Sequence, residues 1–206
     1  MTTVTKPRQA NRARFKPPAS FPLRRWTVEQ YHELIDKDIL TADDKVELLD
    51  GWIVEKMPQK PPHASSTQRL QGTLYRVIPT GWDCRCQLPI TLATSEPEPD
   101  IAIVCGDADT YQERHPYADD IGLLIEVIRT SIFKDRVEKA RIYAEAKIPE
   151  YWIVYVSKSM IEVFSKPTNG KECRYRQVKQ YFKDDSIPLI LRGKKIADIP
   201  LRDILK

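Results

Sequence analysis

The run Ile121-Gly-Leu-Leu-Ile-Glu-Val-Ile128 constrains the fold of this chain more than any other segment. It is apolar at both odd and even positions, the pattern of a strand covered on both faces rather than one with a wet side. A sheet with material packed above and below follows. The one ionisable residue in the run is Glu126. An isolated carboxylate buried there costs many kcal/mol, so it has to be neutralised, paired or bound to a metal. A strand rim opening on a cleft satisfies that need. So does an ion pair at the sheet edge, with Arg129 or Arg141 as the nearest candidates along the chain.

Other segments supply the layers. Thr27 and Gln30 have capping-box spacing ahead of Val28, Tyr31, Leu34 and Ile35, which recur at helical intervals. Two short strands are expected around Asp50-Gly51, a strong hairpin signal. A helix is expected from about His63 to Ile78, with Leu70, Leu74 and Val77 on one side. One or two strands follow in 82–93, interrupted at Pro89, then a strand over Ile101 to Cys105 and a polar loop over 106–120. A helix is expected over Lys134 to Ala146, with Val137, Ala140 and Ala144 as its buried stripe and Lys139 off it. Pro149 stops that helix; YWIVYV and IEVFS read as further strands, followed by polar strand-like pieces and a short terminal helix. The order predicts an α/β fold with a mixed central sheet flanked by helices.

Composition narrows the class. With 41% apolar residues, 30% charged, 16 Pro and 7 Gly, the chain is neither collagen-like nor low-complexity. No apolar stretch approaches the roughly 20 residues a membrane helix needs, and the N-terminus lacks the apolar core of a secretory signal. Cys84, Cys86, Cys105 and Cys173 show no zinc-type pairing. A cytoplasmic protein without a membrane partner is expected. The charge is uneven: residues 1–25 hold seven basic side chains and no acidic one, whereas 26–206 hold 26 basic and 29 acidic. The division is therefore a basic, flexible arm over 1–25 and one folded domain over 26–206. The arm suits phosphates of a nucleic acid, and equally a solubilising extension.

Asp100 opens the strand before Glu126, directly after Pro99 and 26 positions upstream. Adjacent strands would bring both acids to one cleft, and paired hard oxygen ligands are what Mg²⁺ takes from a protein, with water and phosphate completing its octahedron. Lys139, on the following helix, would place an ammonium where phosphorane charge grows; a solvated helix lysine is the plain alternative. His63 starts a helix, where its imidazole can reach a phosphate, or serve as an ordinary cap-region residue.

Pro99-Asp100, Leu-Ile-Glu126-Val, Asp135, Lys139, Tyr143-Ala and Ile148-Pro-Glu-Tyr-Trp152, at these intervals, resemble the Uma-type restriction endonuclease family, a branch of the PD-(D/E)XK nuclease superfamily. The likeness extends upstream to Trp26-Thr-Val-Glu, Glu47-Leu-Leu-Asp-Gly51 and His63. It implies a restriction-endonuclease-like core and Mg²⁺-dependent hydrolysis of DNA phosphodiesters, with Mn²⁺ as a substitute ion. Asp100 and Glu126 would be metal ligands, Glu47 a further acid, Lys139 the catalytic lysine, and His63 and Arg129 accessory residues. The superfamily's lysine two residues after the Glu is replaced by Ile128, and Lys139 fills the Uma-type slot instead. Arg129 stands where the family has a small serine, either as a phosphate clamp or as a plug on Glu126. The alternative is a catalytically degenerate module that keeps the fold and binds DNA. Cutting two strands is simplest with two sites, which leaves a homodimer open.

Overall fold

In the computed structural model, residues 23–56, 61–128, 134–168 and 173–205 are described. Arg129 and most of the basic arm lie outside them. A six-stranded mixed sheet runs in the order β3 (Trp82–Cys86), β4 (Ile101–Cys105), β5 (Ile121–Ile128), β6 (Glu150–Tyr155), β7 (Met160–Pro167), β8 (Tyr175–Phe182). Only β5 and β6 pair in parallel; the other four pairings are antiparallel. Parallel neighbours require a crossover, and the segment 134–145 supplies it.

All eight residues of β5 are buried, as its composition requires. Leu123, Ile125 and Val127 face a layer containing Leu70 and Leu74 of α2 (Pro61–Tyr75) and Ile187 and Leu189 of β9 (Ser186–Leu191). Leu124 and Ile128 face Tyr143 and Ala144 of α3 (Ala140–Glu145), together with Tyr151. Each fully buried Leu or Ile contributes about 1.5–3 kcal/mol. β10 (Lys194–Pro200) completes an antiparallel hairpin with β9, and a single 3₁₀ turn at Leu201–Asp203 replaces the expected terminal helix.

α1 (Val28–Asp36) begins with the expected capping box: Gln30 N–H donates to Thr27 Oγ1 and Thr27 N–H to Gln30 Oε1, each at 3.2 Å. α2 ends at Tyr75, short of Ile78, because a residue before proline is pushed out of the α region and Pro79 follows. β3 ends at Cys86, and Gln87 adopts a left-handed backbone (φ 54°), so 87–93 continue as loop rather than strand.

The hairpin of β1 (Val46–Leu49) and β2 (Trp52–Glu55) turns at Asp50 and Gly51, both with positive φ (49° and 77°). A Cβ on Gly51 would stand 2.6 Å from Arg25 Cβ and 3.0 Å from the Trp26 carbonyl, so glycine is required for space as well as for φ. Asp50 accepts from Arg25 (2.9 Å) and from Arg141 of α3 (3.0 Å), and its N–H donates to Ser95. Those bonds pin the hairpin against the sheet.

The helix expected over 134–146 departs from expectation. Lys134–Lys139 form a π-turn and only Ala140–Glu145 are α-helical. Bonding from i to i+5 places more residues in a turn than the 3.6 of an α-helix, so the inward face is rephased. Val137, expected in the buried stripe, is 46% exposed, while Asp135 and Lys139 turn inward.

Glu150 is buried at the start of β6, where its only described hydrogen-bond partner is the Trp152 indole N–H (3.1 Å). Burial outweighs that bond and raises the carboxyl from 4.5 to about 7. The folded state then holds a proton that the unfolded chain releases, so stability falls as pH rises from 4.5 to 7. At 1.36 kcal/mol per pKa unit this amounts to about 3 kcal/mol. Glu150→Gln is expected to remove that slope and to exceed the wild type in stability at pH 8. Urea unfolding of both proteins at pH 5 and pH 8 checks it; parallel pH curves would refute it.

Candidate active site

The antiparallel register of β4 and β5 pairs Ile101 with Ile125. One step further, Asp100 and Glu126 stand beside each other. Asp100 Oδ2 accepts the N–H of Val127 (2.8 Å) and lies 3.0 Å from His63 Nε2 at the start of α2; Oδ1 has a long contact of 3.5 Å with the Gln87 amide. Glu126 Oε1 accepts from Lys139 Nζ (2.7 Å) and from the Tyr143 hydroxyl (3.1 Å). Lys139 Nζ also lies 3.4 Å from Glu47 Oε2, and that oxygen accepts the N–H of Glu98 at 3.2 Å. Glu47 reaches the site because its hairpin is sewn to 94–96 by backbone bonds, Glu96 N–H to Leu48 O and Gly51 N–H to Thr94 O, both 2.8 Å.

Five of the six residues singled out in the sequence, Glu47, His63, Asp100, Glu126 and Lys139, therefore meet in one place. The sixth, Arg129, lies outside the described residues. The alternative partner weighed for Glu126 within the described chain, Arg141, pairs instead with Asp50 and Glu145. Two further residues, present in the sequence as parts of the family pattern, join the cluster. Asp135 is 5% exposed and adds its charge to the field at Glu126 and His63, and Tyr143 donates to Glu126. Their signal was the interval: Asp135, Lys139 and Tyr143 recur every four residues, which is one face of a helix.

Burial sets the electrostatics. Glu47, Asp100, Glu126, Asp135 and Lys139 are each 2–7% exposed. Burial pushes the Glu126 carboxyl up, and Asp135, Asp100 and Glu47 add to the push, while the Lys139 ammonium at 2.7 Å opposes it, so the two groups titrate as one pair. Burial would strip the proton from Lys139, but Glu126, Glu47 and Asp135 outweigh it and keep the ammonium charged. Burial also opposes charge on His63, yet Asp100, with help from Asp135, lifts its pKa above the ordinary value. Tyr143 stays protonated and a donor, because burial and Glu126 both resist a phenolate. Glu47, Asp100, Glu126 and Asp135 thus stand together around Lys139 and His63.

A second buried acid lies on the same sheet face. Glu162 of β7 accepts from Arg136 Nε (2.8 Å) and Nη2 (3.3 Å), from the Tyr155 hydroxyl (2.7 Å) and from the Gln180 amide (3.1 Å).

The architecture is that of a nuclease fold. It superposes on the crystal structure of a "putative nuclease belonging to DUF820" from Anabaena variabilis with a TM-score of 0.66 and 14% identity, covering 86% of this chain and 96% of that one. The Uma2 family, described as "Putative restriction endonuclease", matches residues 28–196, and the chain belongs to that family. No protein of curated function matches the sequence. Among the described residues, no helix is long and apolar enough to cross a membrane.

Proposed function

We propose that this chain is a divalent-metal-dependent endonuclease acting on DNA. The observation that carries the proposal is the meeting of Asp100 and Glu126 at the buried ends of adjacent strands, with Lys139 and His63 held against them. Among the described residues no three His, Cys, Asp or Glu side chains form a ready metal cage. Mg²⁺ asks for none, since one or two carboxylates suffice and water and phosphate complete its shell. Glu126 Oε2 has no described hydrogen-bond partner and Asp100 Oδ1 only a long one, which fits hard oxygen donors awaiting a cation.

Asp100 and Glu126 would hold the ion, with Glu47 adding negative charge behind them. When bound, the ion supplies charge neutralisation at the phosphate and a lowered pKa for the attacking water. The chain's own groups would do the rest. Lys139, kept charged and fixed between Glu126 and Glu47, stabilises negative charge developing on the phosphate. His63 steadies Asp100 through Nε2, and its Nδ1 is buried with no hydrogen-bond partner among the described residues. Ile128 is 3% exposed and packed in the core, so no lysine from β5 competes for this place.

A second reading, a DNA-binding module without turnover, draws on the ammonium already seated on Glu126. Nicking of supercoiled plasmid in Mg²⁺, Mn²⁺ and EDTA separates the two. Cleavage with either metal and none in EDTA is expected. Duplex binding without cleavage in any metal would select the non-catalytic module, and neither binding nor cleavage would end both.

A further inference from the structure

Three pairings place Glu126, Ile153, Glu162 and Gln180 in one row across β5, β6, β7 and β8. Paired residues share a face, and strands lie about 4.8 Å apart, so Glu162 stands about 10 Å along the sheet from Glu126. The π-turn spans that interval with two cations three residues apart: Lys139 on Glu126 and Arg136 on Glu162. The two ends differ in exposure. The Lys139 side chain is 5% exposed and Arg136 46%, while the Glu162 side chain beneath Arg136 is 3%.

Four donors converge on Glu162 and saturate it. Burial pushes its pKa up, but Arg136, Tyr155 and Gln180 outweigh burial and hold it below the ordinary range. Arg136 commits Nε and one Nη2 hydrogen to this carboxylate and also lies against the Tyr155 hydroxyl, which still leaves N–H donors on the far side of an exposed guanidinium. A fork already oriented loses little rotamer freedom when a second anion arrives. Phosphate is the anion such a fork matches.

We infer that Arg136 binds a non-scissile phosphate of the nucleic-acid strand seated at the acidic cluster, and that Glu162, Tyr155 and Gln180 are positioning residues that aim it. This rests on the nucleic-acid substrate proposed above. A separation of about 10 Å puts that phosphate within a few nucleotides of the scissile bond.

The test is anisotropy of a fluorescent 20-base-pair duplex with the full chain in Ca²⁺, across a range of KCl concentrations. Arg136→Gln is expected to make the slope of log K against log salt shallower by about 0.9, the share of one phosphate. Arg136→Lys restores the slope but not the full affinity, because an ammonium cannot hold both Glu162 and phosphate in a fork. Tyr155→Phe leaves the slope unchanged and weakens binding a few-fold. Arg136→Gln strands a buried carboxylate, so Arg136→Gln/Glu162→Gln provides a folded background with the same expected slope change. An unchanged slope in that double variant, with wild-type binding intact, overturns the phosphate contact alone. Absence of duplex binding by the wild type overturns the contact together with the nucleic-acid reading.

Discussion

Lys139→Met is expected to lower the unfolding free energy by about 3–5 kcal/mol, the range for removing one partner from a buried ion pair. The size follows from what stays behind: Glu126 at 2.7 Å and Glu47 at 3.4 Å lose the ammonium, with Asp135 still adding its charge. Methionine fills most of the volume, so the loss is electrostatic rather than a cavity. Adding Glu126→Gln should recover much of it, since the amide leaves less uncompensated charge. Urea unfolding of the single and double variants measures both numbers. A single-variant loss below 1 kcal/mol would mean the lysine does not hold the acids together. Under the proposed metal reading, Mg²⁺ should restore part of the variant's stability through binding to the native state alone.

Asp100→Asn should reduce metal-dependent cleavage by about 10²–10³-fold, the equivalent of 3–4 kcal/mol of transition-state stabilisation at 1.36 kcal/mol per decade. The fold should survive. The asparagine oxygen still accepts from the Val127 N–H, which Asp100 now engages at 2.8 Å, and stability should stay within about 1 kcal/mol of wild type. Plasmid nicking in Mn²⁺, with a urea curve on the same preparation, tells a chemical loss from a structural one. Cleavage within threefold of wild type would remove Asp100 from the metal site. Manganese-soaked crystals add an independent readout, an anomalous peak between Asp100 and Glu126.

Much of the scaffold was legible because it rests on local rules. β5 announced itself by apolar residues on both faces, the Asp50-Gly51 turn by its need for positive φ, and α1 by its capping box. The gathering of Asp100, Glu126, Lys139, Glu47 and His63 was anticipated from intervals and from family likeness. Val137 misled because a 3.6-residue period was assumed where the backbone makes a π-turn, whose wider bonding leaves no mark in the pattern of apolar residues. The cation on Glu126 could not be chosen from sequence either: Lys139 and Arg141 are both on the crossover, and only the turn's phase decides between them. The Glu162 network depends on the register of three strands and a crossover, which no local signal encodes.

The π-turn makes the number of residues between β5 and α3 as consequential as their identity. Trimming a single residue from Lys134–Lys139 would let the stretch relax into ordinary helix. Lys139, one turn before Tyr143, would keep its place on α3, whereas Arg136 at the other end of the turn would be carried off Glu162 while the core packing of α3 persisted. Insertions and deletions here are therefore a route by which a lineage could reshape the surroundings of the cluster while keeping the scaffold, without altering one acidic side chain.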